Sequence, residues 1–175
     1  MTENTALKPI PAANGPHTNN GIPNGSTSLT PFLAIPRASE AVEFYRDVFG
    51  ADVVAVTEIA GVVVHAELDF GQGRLQIGEV NPDYHLVAAP SGDDDCYSIG
   101  LYCSNVDHLT ARAEEFGATI REPVTDFVSG DRYASIRDPF GVRWSIMSRV
   151  EDLSEAESTR RVAKWAAAQT PSADG

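Results

Sequence analysis

Residues 31–54, PFLAIPRASEAVEFYRDVFGADVV, open with a short apolar run. Ala41, Val42, Phe44, Tyr45, Val48 and Phe49 then follow at the spacing of one helical face, and Gly50 closes the pattern. Ser39 predicts the cap of that helix. The plan returns over residues 98–120, SIGLYCSNVDHLTARAEEFGATI, with a cap at Asn105, apolar positions Val106, Leu109, Ala113 and Phe116, and a stop at Gly117. Phe49-Gly50-Ala51 recurs as Phe116-Gly117-Ala118, 67 positions further on. Each unit continues into segments alternating with period two: VVVHAELDF and GRLQIGEV in the first, RYASIRD and VRWSIMS in the second. The pattern predicts an α+β fold built from two paired β-α-β-β-β modules.

Alternation also assigns faces, because successive side chains of a strand point to opposite sides. Ala66, Leu68 and Phe70 form an apolar row that packs under the helix, leaving His65, Glu67 and Asp69 on the far side. In the second module Ala134 and Ile136 take the helix side, with Tyr133, Ser135 and Arg137 opposite. Leu75 and Ile77 oppose Arg74, Gln76 and Gly78; Ile99 and Leu101 oppose Ser98, Gly100 and Tyr102; Trp144 and Ile146 oppose Arg143, Ser145 and Met147. Thr30, Phe32 and Ala34 fall on the polar side. Two such polar faces, curled, would line a cleft.

The ends read differently. Residues 1–28 carry Asn-Gly, Gly-Pro and Pro-Asn-Gly punctuation with little apolar periodicity and are expected to be a disordered tail. Module one is expected over residues 29–80, a linker over 81–96 and module two over 97–150. A C-terminal helix over 151–169 is signalled by the capping pair Ser154 and Glu157 and anchored by Leu153, Val162 and Trp165; residues 170–175 are expected to fray.

A formal net charge of -12 argues against nucleic-acid partners and anionic membranes, since both need a basic surface. No apolar run approaches the roughly 18 residues that span a bilayer, and the N-terminal residues lack a secretory signal pattern. Cys96 and Cys103 belong to no metal or disulfide spacing. The expectation is a cytoplasmic protein with reduced thiols.

The segments AVEFYRDVFGA (41–51), HAELDFGQGRLQIGE (65–79), NVDHLTARAEEFGA (105–118) and GDRYASIRDPFGVRW (130–144), with the trailing VEDLS, resemble the vicinal oxygen chelate superfamily. That group includes glyoxalases, bleomycin-resistance proteins and extradiol dioxygenases. The last segment is most similar to a glyoxalase-like branch. The resemblance spans residues 30–155 and implies a U-shaped mixed sheet around a cavity, and commonly a homodimer. It also implies metal-ligand positions in the first and last strand of each module, which here are Thr30, Gln76, Ser98 and Ser145. Three hydroxyls and an amide make a poor divalent-cation set, so no metal and no other cofactor is expected.

Candidate chemistry lies on the polar faces. His65 and Glu67, two apart, can share proton transfer, with Tyr133 donating a hydrogen bond across the cleft. Arg74, Arg137 and Arg143 can hold a carboxylate or phosphate through forked donors, or pair with Glu67, Asp69 or Asp138. Phe32 and Tyr102 can stack a planar ligand, with Gln76 and Ser145 as polar contacts. The Asp93–Asp95 run lacks the features of a calcium loop and reads as solvated. The leading functional expectation is a metal-independent small-molecule-binding protein that sequesters or acts on a natural product. The alternative is a metal-independent acid–base enzyme of isomerase, cyclase, hydrolase or lyase type using His65, Glu67 and Tyr133. A metal-dependent glyoxalase or dioxygenase is the reading least supported by these residues.

Overall fold

The computed structural model describes residues 10–169. A small ladder of β1 (Thr18–Asn19) and β2 (Ile22–Pro23) comes first. Module one comprises β3 (Phe32–Ala34), α1 (Ala38–Phe49), β4 (Asp52–Ile59), β5 (Val62–Asp69) and β6 (Arg74–Gly78). Module two repeats the order with β7 (Ser98–Tyr102), α2 (Val106–Glu115), β8 (Thr119–Asp126), β9 (Asp131–Arg137) and β10 (Arg143–Arg149), and α3 (Glu155–Gln169) follows. The expected α+β architecture of two β-α-β-β-β modules and a C-terminal helix is the one observed.

Each module carries a four-stranded mixed sheet, in the orders β3-β6-β5-β4 and β7-β10-β9-β8. In both, the first strand pairs in parallel with the last, so Phe32 lies beside Gln76 and Gly100 beside Ser145. The remaining pairings are antiparallel. This order places the chain's first and last strand of each module side by side, which is what brings residues distant in sequence onto one polar face. Gly78 closes the first ladder: a side chain there would run into the Val64 carbonyl and the Phe32 ring.

The helix-side rows of both sheets meet in one hydrophobic core. Ala66, Leu68, Leu75 and Ile77 from module one join Ala134, Ile136, Trp144 and Ile146 from module two. Aromatic rings stitch the halves together: Trp144 lies 4.8 Å from Phe49 and 5.2 Å from Tyr45, centroid to centroid, with both contacts tilted or edge-on. Asp138 is buried in the same place. Its Oδ2 accepts from the Tyr45 hydroxyl at 2.7 Å and from Trp144 Nε1 at 3.0 Å, while Oδ1 accepts from the amides of Phe140 and Val142. Burial holds the Asp138 carboxyl above its ordinary pKa, outweighing the four donors that favour the charged form. The phenol of Tyr45 is pushed well up, first by burial and then by the neighbouring Asp138.

Two local expectations need correction. The cap of α1 is not Ser39. The helix begins at Ala38, Arg37 before it is left-handed with φ 60°, and the amides of Arg37 and Ala38 donate to the Glu79 carboxylate at 3.2 and 3.1 Å. A carboxylate from the end of β6 therefore does what a local hydroxyl was expected to do, and it pins helix to sheet. The second correction concerns the N-terminal tail. Residues 1–9 lie outside the described residues, as do 170–175, but residues 10–28 hold a tight turn. Asn20 and Gly21, both at positive φ, connect β1 to β2, and the Asn14 side chain bonds Asn20. Asn-Gly punctuation here specifies a hairpin turn, not merely a break.

Helix α2 is capped by Asn105, whose side chain accepts from the His108 amide at 2.9 Å. Helix α3 starts as expected, with the Ser154 hydroxyl accepting from the Glu157 amide. It docks through Trp165, edge-on to Phe127 at 5.0 Å, and through Ser158, which donates to the Ser129 carbonyl. Arg160 and Arg161 both donate to Glu157 and hold its carboxyl down at about 2, against an ordinary value of 4.5. Because the folded value is the depressed one, Glu157 contributes stability above pH 4.5, and that contribution is lost as pH falls through about 2. Thermal melts of Glu157→Gln should therefore lie below those of the parent at neutral pH and converge with them near pH about 2.

Candidate ligand-binding site

A cavity of about 700 Å³ opens where the modules meet. Its walls are Phe70 and Arg74 at the turn into β6, Gly100 and Tyr102 on β7, and Trp144 on β10, with Thr27 and Leu29 from the N-terminal segment at its rim. Aromatic and aliphatic surface dominates, with a guanidinium and a phenol as polar groups. That is the composition of a small-molecule pocket, and the size suits one.

The polar face of module one gathers five of the expected residues, His65, Glu67, Phe32, Arg74 and Gln76. Arg74 donates to Glu67 and, at 3.3 Å, to Asp69, with only 16% of its side chain exposed. Those carboxylates favour its charged form and raise its pKa, the hydrogen bond to Glu67 most of all. His65 stacks on Phe32 with ring centroids 6.2 Å apart. Gln76 sits between Phe32 and Glu67 in the ladder.

The polar face of module two gathers the others. Arg143 donates to Ser135 at 2.9 Å and to Glu122 at 2.6 Å. Arg137 grips the linker carbonyls of Pro90 and Gly92. Burial, followed by a hydrogen bond to Glu122, pushes the phenol of Tyr133 up, and its ring meets Phe127 edge-on. Tyr102 reaches Asp131 at 3.4 Å. Among the described residues, no hydrogen bond, ion pair or ring contact joins His65 or Glu67 to Tyr133; the two polar faces keep separate networks.

Several participants were not legible in the sequence. Arg121, Glu122 and Asp95 complete the second network, and the Asp93–Asp95 run is not uniformly solvated: the Asp93 side chain is 99% exposed and that of Asp95 only 8%. The signal available was three arginines on adjacent strands with no acid among their sequence neighbours able to serve all three. Thr27 lies in the segment expected to be a tail, and Leu29 at the very start of module one, where no periodicity marks it.

The family's metal-ligand positions can be tested on their chemistry. The hydroxyls of Ser98 and Ser145 bond each other at 2.8 Å, and that of Thr30 bonds Thr27 at 2.9 Å. With Gln76 they offer only neutral oxygens, three of them already engaged, which does not fit a divalent ion that must be compensated for its lost water. Among the described residues, no three His, Cys, Asp or Glu side chains cluster as a metal site.

Paired β-α-β-β-β modules with a cavity at their junction define a protein of the paired-module α+β class. The profile of the Glyoxalase/Bleomycin resistance protein/Dioxygenase superfamily matches residues 28–146, and the chain belongs to that superfamily. An uncharacterized protein of Mycobacterium tuberculosis is 28% identical over 138 residues, covering 77% of this chain and 81% of its own. TioX from Micromonospora sp. ML1 superposes with a TM-score of 0.56 at 24% identity, over 73% of this chain and 100% of TioX. The fosfomycin resistance protein FosX of Listeria monocytogenes, whose structure holds Mn(II) and sulfate, superposes with a TM-score of 0.57 at 12% identity, over 78% of this chain and 98% of FosX. These structural likenesses speak for the fold alone.

Proposed function

We propose that the chain is a metal-independent binding protein for a small molecule, and that the ligand sits in the cavity between Phe70, Arg74, Tyr102 and Trp144. The cavity at the module junction, about 700 Å³ and walled by aromatic side chains, is the observation that carries this reading. Acid–base catalysis draws less support, because Glu67 is held by Arg74 and Tyr133 by Glu122. The neutral donor set at Thr30, Gln76, Ser98 and Ser145 supports metal independence. Two unpaired cysteines fit a cytoplasmic setting. Exposed apolar side chains along the edge strand β4, including Val54 and Val56, support a homodimer.

Native mass spectrometry of the protein purified from its own source tests ligand and assembly together. The expected result is a dimer mass with a retained organic molecule and no stoichiometric transition metal. Tyr102→Ala should weaken rebinding of that molecule about tenfold, the loss of one aromatic contact. A metal-loaded chain, or a ligand indifferent to Tyr102→Ala, would overturn the assignment. His65→Ala separates the catalytic alternative: a binder loses at most affinity, whereas an enzyme using His65 loses roughly 100-fold in turnover.

Removing residues 1–28 should leave the melting temperature nearly unchanged, since almost every described residue of that segment is exposed. The same truncation should speed ligand release, because Thr27 leaves the rim and Leu29 becomes the chain's end. A large fall in melting temperature would show that the segment is part of the folded core.

A further inference from the structure

Asp95 belongs to the linker between the modules, three residues before β7. Arg137 approaches its Oδ1 at 3.5 Å, and Arg143 and Arg121 approach its Oδ2 at 3.6 and 3.7 Å. None of these contacts is a hydrogen bond. Oδ1 of Asp95 and Nε of Arg121 are both buried with no hydrogen-bond partner. Three cations therefore surround a carboxylate that none of them grips, in a place where an unmet polar group is costly.

The two sides of this contact differ in build. The arginines stand on three neighbouring strands, β8, β9 and β10, and Arg137 and Arg143 are direct cross-strand partners. Like charges at that position repel unless an anion lies between them. The anion comes from irregular chain, held by the Arg137 contacts to Pro90 and Gly92 and by the Arg121 contacts to Asp93. The other nitrogens of these guanidiniums are engaged, but Arg121 Nε, Arg137 Nε and Arg143 Nη1 all face the Asp95 carboxylate without hydrogen-bonding it, and converging donors left unmet by their occupant are the arrangement of a site that a better-fitting oxyanion can take.

We propose that Arg121, Arg137 and Arg143 form a binding site for an oxyanion, carboxylate or phosphoryl, distinct from the residues that line the cavity, and that Asp95 is an internal stand-in which this anion displaces. The site goes beyond the small-molecule-binding reading and answers to simple ions. Displacement also loosens the linker: when the oxyanion binds, Asp95 moves into solvent and the linker loses one of its anchors to the sheet.

The test titrates inorganic phosphate and, separately, benzoate into the full chain at constant ionic strength set with chloride, comparing the parent, Asp95→Asn and Asp95→Asn/Arg137→Gln. Asp95→Asn should melt lower in chloride, regain its melting temperature with one of the two ions, and bind that ion at least tenfold more tightly than the parent does. The added Arg137→Gln should abolish the gain. Recovery with phosphate alone assigns a phosphoryl group, and recovery with benzoate alone a carboxylate. If neither ion binds Asp95→Asn more tightly than the parent, or if the gain survives Arg137→Gln, the cluster is an ordinary structural ion pair and the proposal falls. Should Asp95→Asn not fold, hydrogen exchange on the parent decides: saturating phosphate or benzoate must speed exchange of linker residues 89–97 about tenfold while β5 stays protected, and no change overturns the proposal. A chain that binds these ions here but yields no retained molecule from its source would refute the binding-protein reading and leave the anion site standing.

Discussion

Asp138→Ala is expected to destabilise the protein by about 3–5 kcal/mol, a large fraction of what a domain of this size has. The carboxylate takes four donors, one each from the Tyr45 hydroxyl, Trp144 Nε1 and the amides of Phe140 and Val142, and alanine orphans all of them in a buried place. Each orphaned donor costs about 1–3 kcal/mol, part of which water entering the cavity would recover. Asp138→Asn should cost less, about 1–3 kcal/mol: the amide oxygen serves one pair of donors, and the amide nitrogen must then face the other. Tyr45 can turn its hydroxyl to accept, whereas the Trp144 ring N–H and the backbone amides cannot. Urea unfolding followed by far-UV circular dichroism reads the difference. An alanine variant within about 1 kcal/mol of the parent would show that the network adds little to the fold.

Trp144→Ala should lose about 3–5 kcal/mol and also impair ligand binding, because one ring serves both the core and the cavity wall. The indole is 1% exposed, packs on Tyr45, Phe49 and Phe70, and faces the cavity at its other side. Trp144→Phe keeps much of the packing but loses the bond to Asp138, so its cost should fall well below that of alanine. Combining Trp144→Ala with Asp138→Ala should cost less than the two separately, by about 0.5–3 kcal/mol, since each already breaks the shared bond. Strict additivity would mean that the bond between them contributes nothing measurable.

Both side chains illustrate what pattern reading can reach. Trp144 was placed on the helix side by alternation alone, and it lies there. The same rule placed His65, Glu67, Arg74 and Gln76 on one polar face and Tyr133, Arg143 and Ser145 on another. Strand parity is local, and burial of one face enforces it, because a one-residue slip would turn every apolar side chain outward. Asp138 lay in plain view in the Asp-Pro-Phe-Gly turn, but its partner Tyr45 is 93 residues away and no local pattern pairs them. The cap of α1 failed for the same reason: Ser39 is the better local candidate, and Glu79 prevails because β6 ends beside the helix start.

The periodicities of 3.6 and 2, the repeat at 67 residues and the glycine stops carry the two modules, their strand faces and the three helices, because each depends on residues within a few positions of one another. The neutral character of Thr30, Gln76, Ser98 and Ser145 is likewise a property of the chain alone. Which polar groups meet is a different matter. The bond between Tyr45 and Asp138, the seat of Asp95 among three arginines, and the contribution of Thr27 to the cavity all depend on segments separated by tens of residues coming together. Coulombic and hydrogen-bonding partners are chosen by that final proximity, and a pattern of hydrophobic positions carries no record of it.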